Sequence, residues 1–243
     1  MAIVSSGQIS LTDIQAEFGG SNPINLNEYY RGGAYVTDWT GTASIPTSGQ
    51  ASLSQFYGAA SYPTQVIYKK TADFSATLSS KPKFAVLIGT RFSSDPTSIS
   101  APAVNGVTAS TVINRSNTNL SDGHACGIFK INLGTTTSGS FNLTAADEWI
   151  VVIVENITSL TTKDTGYTNG DGTTISTGVQ GFAVAGAVNN FAGIGSTITN
   201  CNSVYSPTSY GIVGVDTTTT GSNTTYNADG TSIQLTVAAS FSY

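Results

Sequence analysis

The chain has 243 residues, 9 Lys or Arg against 14 Asp or Glu, a net charge of −5 and only 9% charged residues, where an ordinary globular protein carries about a quarter. With 39% apolar residues it lacks the high charge and low hydrophobicity of a disordered chain. The scattered cations give no basic face for nucleic acid or for an anionic membrane surface, and no apolar run approaches the roughly 18 residues of a membrane-spanning helix.

The first 60 residues carry one short phrase three times. The copies are Ile9-Ser10-Leu11-Thr12-Asp13-Ile14, Ile24-Asn25-Leu26-Asn27-Glu28-Tyr29 and Ala51-Ser52-Leu53-Ser54-Gln55-Phe56. Each reads as a helix start. Ser10, Asn25 and Ser52 can accept a free backbone N–H at the N-cap, and Asp13, Glu28 and Gln55 stand where a capping box needs its return partner. Apolar residues one turn on suit a hydrophobic staple, which Ala51 weakens in the third copy. Each copy then runs into an aromatic followed by glycine, at Gly19, Gly32 and Gly58, the usual helix stop. The sequence therefore predicts an N-terminal module, residues 1–60, of short capped helices. Helices so short are unstable alone, and a segment of about 60 residues is marginal by surface-to-volume scaling. The module should pack on the rest of the chain, on copies of itself or on a partner.

Several stretches of this module resemble the start of tailed-bacteriophage virion proteins of the marine and cyanobacterial type. They are Ser6-Gly7-Gln8-Ile9-Ser10-Leu11, Glu17-Phe18-Gly19-Gly20-Ser21-Asn22-Pro23-Ile24, Glu28-Tyr29-Tyr30-Arg31-Gly32-Gly33, Ile45-Pro46-Thr47-Ser48-Gly49 and Ser52-Leu53-Ser54-Gln55-Phe56-Tyr57-Gly58. The resemblance implies a virion location, with assembly in the host cytoplasm and release by lysis. That fits Met1-Ala2-Ile3-Val4-Ser5, which lacks the features of a signal peptide; a plain cytoplasmic protein fits it equally. It implies other virion proteins as partners and a homo-oligomer, with a trimer favoured. The candidate assembly contact is Leu11, Ile14, Phe18, Leu26, Tyr29, Tyr30, Arg31, Leu53, Phe56 and Tyr57. Some of these would be buried only in the complex.

After a joint at Ala59–Pro63, helix signals vanish. Residues 61–243 read as short β runs between Gly, Asn, Asp, Ser and Pro. Strands are expected near Gln65–Tyr68, Phe84–Phe92, Val104–Ile113, Cys126–Leu133, Ser140–Leu143, Trp149–Asn156, Gly181–Val188, Tyr210–Val215 and Ile233–Phe241. Trp149–Val154 is continuous and β-branched, as in a strand buried on both faces. Ile233, Leu235 and Val237 alternate with more polar neighbours, as in a strand with one wet face. Strands without crossover helices imply antiparallel pairing. The expected fold is mainly β, an antiparallel β-sandwich of jelly-roll-like type behind the helical module.

Three stretches, Thr158–Gln180, Asn189–Ser209 and Asp216–Thr231, are rich in Thr, Asn, Gly and Tyr. They read either as polar surface loops and extra edge strands, or as contact loops. On the second reading Tyr167, Phe191, Tyr205 and Tyr210 are amphipathic anchors for an oligomer or a receptor. Gly181–Ile198, with Phe182, Val184, Val188, Phe191 and Ile194, is the candidate threefold contact, or else a core strand and a loop.

Reactive chemistry is sparse. His124 and Cys126, with Cys201 distant, lack zinc-like spacing, and His124 reads as a surface residue of a polar turn. Asp164, Asn169 and Asp171 miss the spacing of a calcium loop, so a polar turn is expected. No Gly-x-Ser-x-Gly elbow occurs, and no dinucleotide or phosphate loop. Asp147 and Glu148 are adjacent and read as turn residues, not as the separated carboxylates of a glycosidase. Cys126 and Cys201 read as thiols, since a reducing cytoplasm disfavours a disulfide. No cofactor or metal is nominated and no enzyme is expected. The sequence suggests a tail, baseplate or neck appendage, tail-fibre-like; the alternatives are a capsid decoration or head-fibre protein, and a module adsorbing to host surface glycan.

Overall fold

A computed structural model describes residues 3–38, 40–93, 98–117, 123–143, 146–178, 180–189, 194–206, 211–217, 219, 221–230 and 233–243. The chain divides into two compact units, Met1–Thr64 and Gln65–Tyr243.

In the first unit one true helix forms, α1 (Leu11–Phe18). Its start is the capping box read from the sequence. Ser10 Oγ accepts the Asp13 N–H at 3.3 Å, and Asp13 Oδ2 accepts the Ser10 N–H at 2.8 Å and its hydroxyl at 2.7 Å. Gly19 stops it at φ 84° while giving its N–H to Gln15 O. The other two copies shrink to single 3-10 turns, Leu26–Glu28 and Leu53–Phe56, and a further turn spans Thr40–Thr42. Their caps differ in detail. Asn25 Oδ1 accepts the Asn27 N–H at 3.0 Å, and Gln55 Oε1 accepts the Ser52 N–H at 2.7 Å. Both turns end within one turn of the cap, before any bond from propagation can repay nucleation.

This unit has a core of its own: Ile3, Ile14, Phe18, Tyr29, Val36, Ile45, Phe56 and Ala59. Phe18, at the end of the helix that the first copy starts, and Phe56 of the third copy meet edge to face with centroids 6.4 Å apart. Tyrosine hydroxyls tie down the intervening loops. Tyr29 donates to Gly19 O at 2.9 Å, Tyr30 to Gly49 O, and Tyr57 to Gly7 O. Glu17 Oε1 fixes the exit of the unit, accepting the Ser61 N–H at 2.7 Å and its hydroxyl at 2.9 Å.

The second unit is mainly β. Its first half holds β1 (Thr64–Lys70), β2 (Phe74–Thr77), β3 (Lys83–Ser93), β4 (Ala103–Val104), β5 (Val107–Thr108), β6 (Ser110–Asn117), β7 (Gly123–Gly134), β8 (Ser138–Asn142) and β9 (Glu148–Glu155). Its second half holds β10 (Thr161–Thr168), β11 (Thr173–Ser176), β12 (Gly181–Asn189), β13 (Ile194–Ile198), β14 (Ser203–Tyr205), β15 (Gly211–Asp216), β16 (Asn223–Tyr226), β17 (Ala228–Gly230) and β18 (Ile233–Ser242). Two five-stranded sheets, ordered β1-β9-β3-β7-β6 and β10-β18-β12-β15-β14, form the sandwich. Each is drawn from one continuous stretch of chain, whereas a jelly roll sends successive strands to opposite sheets.

Three apolar layers result. Between the two sheets lie Val86, Ile88, Ile128, Ile150, Val152 and Val154 from one and Phe182, Val184, Val213, Val215, Val237 and Phe241 from the other. The far face of the first sheet, including Leu87, Phe129, Trp149 and Val151, is covered by a small sheet ordered β2-β8-β4-β5 that supplies Val104 and Phe141. The far face of the second, including Ala183, Ala185 and Ile212, is covered by the pairs β11-β16 and β13-β17 through Ile175, Tyr226, Ile194 and Ile198. Four layers of β structure therefore stack.

This arrangement explains why β9 is apolar without a break. Trp149 to Val154 are buried, alternate residues entering different core layers. Trp149 Nε1 donates to Leu143 O at 2.7 Å. Its ring lies on Gly89, where a Cβ would fall 2.9 Å from the indole.

The structure corrects several strand expectations. Val104–Ile113 is not one strand: Asn105 and Gly106, with φ of 52° and 78°, turn between β4 and β5, as Asn-Gly favours in a hairpin, and after Ala109 the chain passes to the first sheet as β6. The three polar stretches hold extra strands, as one part of their reading allowed. They contain β10 and β11, β13 and β14, and β16 and β17. An outer strand needs apolar residues on one face, and here one or two suffice, so hydrophobic patterning stays weak. Threonine, being β-branched, still suits the extended backbone.

Candidate functional site

The ten residues expected at an assembly contact separate into two groups. Ile14, Phe18, Tyr29 and Phe56 are buried in the core of the first unit. Burial there raises the Tyr29 phenol above its ordinary pKa, with a smaller contribution from the nearby Glu28 charge. Leu11, Leu26, Tyr30, Arg31 and Tyr57 are half-buried, and Leu53 is exposed. Arg31 spans a loop, with Nη1 donating to Ala43 O at 3.3 Å and Nε 3.5 Å from Asp38 Oδ1. The surface of the unit also exposes Val4 at 53% and Tyr35 at 37%, beside Leu53 at 36%. Val4 and Tyr35 lie outside the repeated phrase, so the sequence reading did not single them out.

The four loop anchors diverge. Tyr167 is half exposed on β10, with the Arg115 guanidinium 4.5 Å from its ring centroid. Arg115 belongs to β6, so the contact clasps edge strands of opposite sheets. Tyr205 lies on edge strand β14 and packs partly against the inner core layer. Phe191 and Tyr210 lie outside the described residues. Phe182, Val184 and Val188, offered as a threefold contact, are instead buried in β12 between the two sheets, and Ile194 enters the outer layer. They are core because the first sheet covers them within the same chain.

The residues with reactive side chains are mostly structural. His124 is a correction: it is fully buried, its Nε2 3.1 Å from Asn189 O and its ring edge-on to Phe92 at 5.1 Å. The strand β7 begins at Gly123, so His124 is a strand residue rather than part of a turn. Glu148 is also buried, accepting the Thr90 hydroxyl at 3.0 Å, while exposed Asp147 accepts the Phe92 N–H at 2.8 Å. These two carboxylates anchor the start of β9 to the end of β3. Asp164 Oδ1 accepts the Thr165 N–H and Oδ2 the Ser176 N–H, each at 2.8 Å, which joins β10 to β11.

Lys83 is buried and gives its ammonium to Gly134 O at 3.3 Å and Thr136 O at 2.9 Å. Burial lowers its pKa, partly offset by Glu155. Tyr226 donates to Asp216 Oδ2 at 3.0 Å. Burial raises that phenol, and the Asp216 charge adds to the shift. Cys126 and Cys201 are free thiols, both pushed up chiefly by burial. Among the described residues no group of three or more His, Cys, Asp or Glu side chains could hold a metal ion.

Exposed large apolar side chains occur on both units, Val4, Tyr35 and Leu53 on the first and Val66, Val107 and Tyr167 on the second, so among the described residues they are denser on the smaller first unit. Compared with known proteins, the chain matches no family model, no curated protein and no solved structure.

Proposed function

We propose that this chain is a non-enzymatic structural protein of a tailed-phage virion, a tail, baseplate or neck appendage that docks through its N-terminal unit. The observation that carries the reading is the division of labour along the chain. Residues Met1–Thr64 form a compact unit with its own core, yet expose Val4, Tyr35 and Leu53. Exposed apolar side chains on so small a body suit a contact in which the rim stays polar and the centre is desolvated. The resemblance of residues 3–58 to virion proteins supplies the context, and with it the expectation of a trimer.

The reading is tested in purified particles from a lysate of cells that carry the gene. Mass spectrometry is expected to find the chain in the particles, and the double variant Val4→Asp with Leu53→Asp is expected to be absent from them while its β unit melts normally. Absence of the natural chain from particles, or normal incorporation of the variant, overturns the reading. A copy number that follows the capsid lattice would move the protein from appendage to capsid decoration.

A further inference from the structure

We propose that residues 65–243 are two copies of one folding unit fused in tandem, and that their order along the chain is interchangeable. The two sheets have the same construction. In β1-β9-β3-β7-β6 and in β10-β18-β12-β15-β14, the first strand of the half is an edge and the last strand lies beside it. The central strand comes next, then the two strands that follow it in the main sheet, in reversed order. The strands left over leave for the outer layer at matching points: β2 pairs with β8 over the first sheet, and β11 with β16 over the second.

The agreement extends to residues. The central strands share Phe84-Ala85-Val86 and Phe182-Ala183-Val184. In both, the valine enters the layer between the sheets and the alanine the outer layer. Phe84 stands opposite Val154 on the last strand of its half, and Phe182 opposite Phe241 on the last strand of the other. Counting from those pairs, Ile150 and Val152 correspond to Val237 and Ala239, and all four belong to the same inner layer. On the other flank Ala85 stands opposite Ile131 and Ala183 opposite Asp216, which aligns Ile128 with Val213, again both inner. Strand order, face and register would not all coincide if the halves had unrelated folds.

The connections agree as well. The halves are joined by a five-residue link, residues 156–160, between β9 and β10. The opposite seam, from the end of β18 to the start of β1, is also short, because Gln65 Nε2 donates to the Tyr243 hydroxyl at 2.6 Å. The two copies thus form a nearly closed circuit, and the point where the N-terminal unit enters β1 has its counterpart at β10.

The test uses all of the chain in a new order: residues 1–63, then 161–243, a five-residue Gly/Ser linker, then 64–160. Such a linker spans up to about 17 Å, enough for ends whose side chains already touch. The reference variant is opened inside a copy, at the β7–β8 turn: residues 1–63, 136–243, the same linker, then 64–135. The exchanged chain is expected to show a β-type circular dichroism spectrum and one thermal transition within about 10 °C of the natural midpoint, clearly above that of the reference variant. An exchanged chain that fails to fold, or that melts no higher than the reference variant, overturns the inference.

Discussion

The two units of this chain are held together by different physics. The first is specified locally: a capping box at Ser10 and Asp13, a glycine stop at Gly19, tyrosine hydroxyls on nearby carbonyls, and one thin core. The second is specified by contacts distant in sequence, with three apolar layers between four layers of strands. Burying a large apolar side chain contributes roughly 1.5–3 kcal/mol, so the second unit has far more to lose in total. The first, with little in reserve, should respond more sharply to a small loss. The first unit is thin and locally ordered and exposes Val4 and Leu53, whereas most large apolar side chains of the second are buried in its sheet stack.

The contrast breaks most severely at Val152, which lies in the inner core layer at the middle of β9. Val152→Asp places an unpaired charge there and should cost about 5 kcal/mol or more. The β circular dichroism signal should be lost at room temperature. Labelling of the Cys126 thiol reports the same event, since that thiol is fully buried and its pKa raised. It should resist iodoacetamide in the natural chain and react readily in the variant.

Next comes Phe56→Ala, which removes the ring that joins the third copy of the phrase to Phe18 at the end of α1. A loss of about 3–5 kcal/mol is as large as a core this thin can bear. Limited proteolysis should cut within residues 1–64, while the thermal transition of the β unit and the protection of Cys126 stay unchanged. Cysteine exposure in this variant would show that the two units unfold together.

Ser10→Ala should act in the same direction more weakly, by about 0.5–2 kcal/mol, again read as protease sensitivity of the first unit. The cap also has a pH signature. The Ser10 hydroxyl and N–H hold the Asp13 carboxyl below its ordinary value of 3.8. A carboxyl lowered in the folded state contributes stability that is complete above the unfolded value and is lost as pH falls through the folded one. The cap's contribution to protease resistance of the first unit should therefore be complete above pH 3.8 and fall below it, and Ser10→Ala should flatten that part of the dependence.

The smallest expected effect is at the clasp between β6 and β10. Arg115→Ala or Tyr167→Ala should each cost about 0.5–1 kcal/mol, as at other exposed cation–π contacts. A double-mutant cycle on the thermal midpoint should show coupling between them. Additive losses would mean that the pair merely coincides in space.

Legibility differed along with the physics. The start of α1 could be read because a capping box lies within four residues, whereas the shrinkage of the other two copies depends on where the following chain packs. In the second unit β9 was legible from an apolar run and β18 from alternation, but the wet face expected of β18 is absent, since Thr236, Ala238 and Ser240 are buried on the outer layer's side of the sheet. Their mates in the outer layers were not, since β11 and β16 present little more than Ile175 and Tyr226 to the core. His124 and Glu148 were misread as turn residues because their neighbours are polar, although the strands β7 and β9 that bury them begin at Gly123 and Glu148. The tandem likeness of the halves left just Phe-Ala-Val as a trace, because the inner layer requires apolar volume at matching positions and tolerates many side chains that supply it.

By itself the sequence determined the mainly β class, the separate character of the first 60 residues, the capped start of α1 and the doubly buried strand at Trp149–Val154. Each follows from a pattern that local geometry imposes: a cap within one turn, a glycine at positive φ, an unbroken β-branched run. Tertiary structure decided the rest: that the polar stretches supply both edge strands of a main sheet, β10 and β14, and the strands of an outer layer, that Phe182 and Val184 face another sheet of the same chain, and that the two halves share one strand order. Those outcomes depend on which distant segment covers each face. Burial by a remote partner is roughly proportional to the area removed from water and non-directional, so it leaves no fixed spacing in the sequence to read.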